Sequence, residues 1–298
     1  MIQQVTINKS FSNFLNKHEK IIFKLFDKVK SFKKNIPNTY KYSLKYSPPR
    51  KIYKYTDKLF IGCILYIALN NYSWTSFIGP IPGKQVHKKF KEYCKKGLFK
   101  SLFKNSIKEY LCTNAMEKTQ IISIDSTTIF NKNCNEIESR NPYYKNKKCA
   151  KITAIVDAIG TPINLSVDDG IKHDSKLFNA VFNDTINNNE IRKNFNKTTT
   201  ILADKGYDSK AIRSKIKESK MKCIIAHNKR NCKDKSKIKS LTNKEKNIYK
   251  NRVKVEHFFG IIKKYPKINC IYEKSLQSYL NLVLLVSSMI LINRTDIT

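Results

Sequence analysis

The sequence predicts an α/β (α+β) protein, a mixed sheet with flanking helices, preceded by a small helical N-terminal region. Three observations predict it. Up to about residue 117 apolar residues recur mainly at helical spacing. Past residue 118 short β-type runs alternate with helical stretches, the pattern of mixed strands joined by crossover helices. The 298 residues are 41% hydrophobic and 11% aromatic, enough to bury a core in spite of the charge. Three segments result: a basic extension over 1–55, a helical domain over 56–117 and an α/β domain over 118–298.

The extension holds 13 Lys+Arg against 2 acids, with a short helix expected around Lys20–Phe32 and a Pro48-Pro49 break. From Asp57 to Tyr72 the residues Leu59, Phe60, Cys63, Ile64, Ile67 and Ala68 mark a helix, ended by the Gly79-Pro80 to Pro82-Gly83 loop. Basic amphipathic helices follow over 84–96 and 98–110. Strands are expected over 120–126, 150–156, 161–167 and 199–203, and Asp157-Ala158-Ile159-Gly160 has the composition of a hairpin turn. Helices should occupy 175–182 and 209–219, with a short strand over 223–226. A Lys/Asn/Ser-rich connector over 228–247 leads to two closing helices, 243–264 and 275–294.

With 58 Lys+Arg against 23 Asp+Glu the formal charge is +35, which points to a polyanionic partner. Such charge favours phosphate contacts over the reading of sequence. The 8 Cys show no zinc-type pairing, and no signal peptide precedes them, so reduced thiols are expected. The apolar run Leu282–Ile292 is too short to span about 30 Å of hydrocarbon, and no membrane partner is expected.

Three carboxylates can carry chemistry. Asp125 follows Ile121-Ile122-Ser123-Ile124, Asp204 follows Ile201-Leu202-Ala203, and Glu256 lies in the penultimate helix. Acids at strand ends sit at a sheet rim, where loops and helix ends form a crevice. Carboxylates meeting there repel unless cations intervene, and hard oxygen donors suit Mg²⁺ or Mn²⁺. A cap or Asx turn is the other reading of Asp125 and Asp204. On a helical wheel Tyr249, Arg252, Glu256 and Lys263 share a stripe about 60° wide, between an apolar face and a lysine face. That stripe reads equally as an active-site edge or as surface ion pairs such as Arg252 with Glu256.

The spacing Tyr249, Arg252, Glu256, Lys263 resembles the signature of DDE transposases of bacterial-type insertion sequences, the insertion-sequence four and five kind. Ile124-Asp125-Ser126-Thr127 and Ala203-Asp204-Lys205-Gly206-Tyr207 look like the family's two aspartate segments. Gly170-Ile171-Lys172-His173-Asp174-Ser175 resembles the stretch between them, with Ile171 in place of Asn. On the second strand Cys149 and Thr153 stand where the family usually carries other residues.

The resemblance implies a ribonuclease H-like core in which Asp125, Asp204 and Glu256 are catalytic and jointly hold two Mg²⁺ (or Mn²⁺) ions. Tyr249, Arg252 and Lys263 would contact DNA phosphates, with His173, Asp174 and Lys205 as weaker candidates. It further implies cleavage at transposon ends with 3′-hydroxyl transfer into target DNA, double-stranded DNA as partner, and a homodimer or higher synaptic oligomer. The alternatives are a metal-dependent nuclease without strand transfer and an idle transposase-derived DNA-binding protein. The expected location is the cytoplasm or nucleoid, or the nucleus or a viral factory for a eukaryotic or viral element, and not outside the cell.

Overall fold

The computed structural model describes residues 9–34, 55–70, 72–113, 120–138, 140–142, 145–228 and 240–295. The Pro48-Pro49 break and most of the connector lie outside the described residues.

Two helices open the chain, α1 (Lys9–Lys17) and α2 (Glu19–Lys34), and they bury Phe11, Ile22, Leu25 and Val29. Helix α3 (Asp57–Leu69) starts at Thr56, whose hydroxyl accepts the Leu59 N–H at 3.3 Å. Its residues Phe60–Ala68 are all buried, as a helix apolar on every side must be. Helix α4 (Gly83–Lys95) buries Val86, Phe90 and Tyr93, whereas Lys84, Lys88, Lys91 and Lys95 form one exposed row. Helix α5 (Leu98–Cys112) completes the helical region.

The sheet has the central order β4–β3–β1–β5–β6. Strand β1 (Ile121–Asn131) runs antiparallel to β3 (Lys147–Asp157), which pairs antiparallel with β4 (Pro162–Asp169). On its other side β1 runs parallel to β5 (Thr200–Ala203), and β5 to β6 (Lys222–Ile225). Two-residue strands β2 (Arg140–Asn141) and β7 (Cys270–Ile271) extend the edges. Three antiparallel strands followed by two parallel ones, with helical crossovers, make this a ribonuclease H-like fold. The predicted hairpin joins β3 to β4; its Gly160 has φ +83, where a side chain would be strained.

Helix α6 (Asp174–Asn187) packs on β3 and β4, followed by the short α7 (Asn189–Arg192), while α8 (Lys210–Glu218) packs on β6. The predicted helix over 243–264 divides into α9 (Asn243–Tyr249), a 3₁₀ turn (Lys250–Arg252) and α10 (Val253–Ile262), which packs on β1 and β3. A short α11 (Pro266–Asn269) precedes β7.

The last helix, α12 (Leu276–Thr295), is longer than the apolar run read from sequence, and by length and composition it could cross a membrane. In the fold 72% of that apolar window is buried instead, against α5 and also against α2, α3, α4 and β4. One continuous apolar cluster therefore joins the helical region to the sheet. Buried Asp157 strengthens the junction: it accepts the Thr161 N–H at 2.8 Å and the hydroxyl of Tyr110 on α5. Arg294 of α12 donates to Thr161 Oγ1 at 2.9 Å in the same turn. Seven cysteines among the described residues are free thiols.

Candidate active site

Side chains alternate along a strand, so Ser123, Asp125 and Thr127 face one side of β1. Each meets the closing helical segment. Ser123 Oγ donates to the Asn251 carbonyl at 3.4 Å, Asp125 Oδ2 accepts from Arg252 Nη1 at 3.1 Å, and Thr127 Oγ1 accepts from Lys263 Nζ at 2.5 Å. The strand thus reads the helix at three points. Asp125 stands in mid-strand, not at the strand end where the sequence suggested it, because β3 goes on pairing with β1 as far as Phe130.

Asp204 comes next to it through the register of the parallel strands. Ile124 pairs with Ala203, so the residues that follow, Asp125 and Asp204, stand close together, and Asp204 adds to the rise of the Asp125 carboxyl. Strand β5 stops at Ala203, and a 3₁₀ turn (Lys205–Tyr207) carries the chain off, leaving the Asp125 side of β1 open. Tyr249 holds the helix end over that opening, its hydroxyl donating to the Ala203 carbonyl at 3.1 Å.

The helix breaks at this point for a local reason. Asn251 Nδ2 donates to the Ile248 carbonyl at 3.0 Å, and the Asn251 carbonyl turns toward Ser123. A side chain competing for helix carbonyls favours the tighter 3₁₀ turn. Arg252 ends that turn and forks between two acids, with Nη2 on Glu256 Oε1 at 2.5 Å and Nη1 on Asp125. Arg252 and Glu256 pair at i,i+4, as the ion-pair reading expects, and Arg252 also reaches the Asp125 carboxylate.

The electrostatics are those of a buried acid among acids. Burial pushes the Asp125 carboxyl up to about 6, with Asp204 and Asp174 adding to the rise, while the Ser126 N–H and Arg252 oppose it. Burial likewise raises the Tyr249 hydroxyl, helped by Asp204, Asp125 and Glu256, and opposed by Arg252. The Lys263 ammonium is lowered by burial. All three predicted acids thus act on one spot, and Arg252 supplies positive charge between two of them.

The family model for the transposase DDE domain matches residues 116–291, more than half of the chain. The chain belongs to the DDE transposase family. No curated protein matches it in sequence. Among solved structures, a chain of the crystal structure of a pre-cleavage Mos1 transpososome aligns over 75% of this chain and 80% of its own length, at 9% identity and a TM-score of 0.28.

In this transposase Asp125, Asp204, Tyr249, Arg252, Glu256 and Lys263 gather along β1. Among the described residues no three His, Cys, Asp or Glu side chains form a group close enough to hold a metal, and Arg252 bridges Asp125 and Glu256. The donor set still suits a hard cation, since it is carboxylate oxygen throughout and crowds buried negative charge that needs compensation.

Of the weaker candidates, His173 caps α6, its Nδ1 accepting the Ser175 N–H at 3.3 Å, and Asp174 is the first residue of that helix. Lys205 is exposed on the turn after Asp204. Sequence reading passed over Ser123, Thr127 and Asn251, which the two-residue alternation around Asp125 could have flagged. It also passed over Lys151, for which no local signal exists.

Proposed function

We propose that this transposase cuts DNA at transposon ends and joins the freed 3′-hydroxyls to target DNA, with Asp125, Asp204 and Glu256 as its catalytic carboxylates. The observation that carries the reading is the parallel register that sets Asp125 beside Asp204, with Glu256 tied to the pair through Arg252. These carboxylates would hold two Mg²⁺ or Mn²⁺ ions, which, when bound, supply activation of the attacking water or hydroxyl and neutralise the leaving oxygen.

The chain's own residues do the rest. Tyr249 fixes the helix against the end of β5, and the Arg252 fork suits a phosphate as well as it suits the carboxylates it now bridges. Lys263, half-buried beside Thr127, gives a positive point near the same face. The exposed Lys84, Lys88, Lys91 and Lys95 of α4 offer a row of cations to the DNA backbone. Within the family, the Tyr249/Arg252/Glu256/Lys263 spacing supports the insertion-sequence four and five kind. In this reading two DNA ends are handled together by at least a dimer, acting wherever the element's DNA lies: nucleoid, nucleus or viral factory.

The test uses labelled duplexes carrying the element's flanking ends, with Mn²⁺, and compares the wild type with Glu256→Gln. Joined 3′ ends in the wild type should fall by about 10³-fold or more in the variant and vanish in EDTA, as loss of a charge-stabilising group at the reacting centre requires. Cleavage without joining would favour the nuclease. DNA binding with no product from either protein would favour the idle DNA-binding protein.

A further inference from the structure

We propose that Lys151 is a positioning residue, whose ion pair with Asp174 clamps the turn that presents Asp204. The inference rests on the reading of Asp204 as catalytic. Lys151 lies on β3 with its side chain only 17% exposed, and its Nζ donates to Asp174 Oδ1 at 2.9 Å and to the Lys172 carbonyl at 3.0 Å. It is therefore spent inside the protein and is not a free surface lysine.

The other oxygen of Asp174 faces the turn after Asp204. The helix that Asp174 opens packs on the Lys205–Tyr207 turn, and a side chain added at Gly206 would meet Asp174 Oδ2 at 3.7 Å, so the carboxylate neighbours the turn. The end of the same turn is gripped from the same strand. Tyr207, 1% exposed, shares a hydrogen bond with Ser126 Oγ at 2.8 Å, and Ser126 Oγ shares one with Thr153 Oγ1 at 2.8 Å. Thr153 is two residues from Lys151, hence on the same face of β3. The Tyr207 N–H closes the turn on the Asp204 carbonyl at 2.9 Å. Thr153 of β3 thus steadies Tyr207 through Ser126 of β1, and Lys151 of the same strand fixes the Asp174 carboxylate beside the turn that follows Asp204.

The charge matters as well as the contact. Asp174 lies near enough to Asp125 to add to the rise of its carboxyl, so without Lys151 its charge would stand uncompensated close to the site. A half-buried ion pair of this kind sets geometry more than it adds stability.

The experiment uses the full chain and the variants Lys151→Met, Lys151→Arg and Asp174→Asn, each checked for a wild-type thermal transition. Hydrogen exchange of the backbone amides over 205–208 should be about tenfold faster or more in Lys151→Met and Asp174→Asn, and near wild type in Lys151→Arg. Unchanged exchange in the first two overturns the proposal, whether or not the protein cleaves DNA. On DNA ends with Mn²⁺, kcat should fall about tenfold or more in Lys151→Met at unchanged KM, and recover in Lys151→Arg. A loss confined to KM would make Lys151 a DNA contact and overturn the proposal. A wild type without product would instead refute the functional reading, leaving the exchange result to decide the role of Lys151.

Discussion

At the scale of the residue, Asp125 shows how burial changes an acid. Its carboxyl is pushed up to about 6 because it is largely buried beside Asp204, and Arg252 offsets only part of that cost. A carboxyl raised in the folded state contributes most below its unfolded value, and that contribution is lost as pH rises through about 6. Asp125→Asn should therefore match the wild type near pH 4. Above pH 7 in EDTA it should be more stable by about 1–3 kcal/mol, while inactive on DNA. Thermal unfolding from pH 4 to 8 checks this; a variant less stable at pH 7.5 would show that the Arg252 pair outweighs burial.

At the scale of the element, the site depends on two irregularities that position regular structure. The 3₁₀ turn at Lys250–Arg252 turns the Arg252 fork onto β1, and Asn251 produces it by competing for the Ile248 carbonyl. The hairpin turn at Gly160 lies under the same segment: a Cβ there would come within 3.0 Å of the Lys254 carbonyl, at a φ of +83. Gly160→Ala should cost about 1–2 kcal/mol from the left-handed backbone alone, with the steric contact adding to it. Urea unfolding measures the loss, and a variant as stable as the wild type would mean that the turn relaxes freely. The order and type of the strands and helices were largely legible in sequence, but their ends less so: β1 runs on to Asn131 and α6 to Asn187, past the expected ends at 126 and 182. The 3₁₀ break was not, since the apolar period of Ile248, Val255, Phe258, Phe259 and Ile262 runs through it.

At the scale of the whole molecule, α12 decides the architecture. It is buried over Tyr279 and Asn281–Ile292, between the helical region and the sheet, so both share one apolar cluster. The lysines of α4 stay exposed, and a net charge of +35 makes a field that attracts polyanions. Affinity for an arbitrary duplex of about 30 base pairs should thus fall about 10³-fold or more between 50 and 200 mM salt. Fluorescence anisotropy across that range tests it, and a change under about tenfold would sink the view that this surface tracks phosphates.

The sequence by itself determined the α/β class, the basic character and the identity of the polar residues that meet at β1, because periodicity, charge and spacing are properties of the chain alone. Tyr249, Arg252, Glu256 and Lys263 could be placed together from helical geometry before any fold was known. Only the tertiary structure decided that Asp125 stands in mid-strand, that Arg252 bridges it to Glu256, and that Lys151 reaches Asp174. Each of these depends on strand register or on a crossing between distant segments, 127 residues apart for Asp125 and Arg252. No local pattern encodes such a meeting; it is settled when the parallel pairing of β1 with β5 and the packing of α10 on β1 bring the groups together.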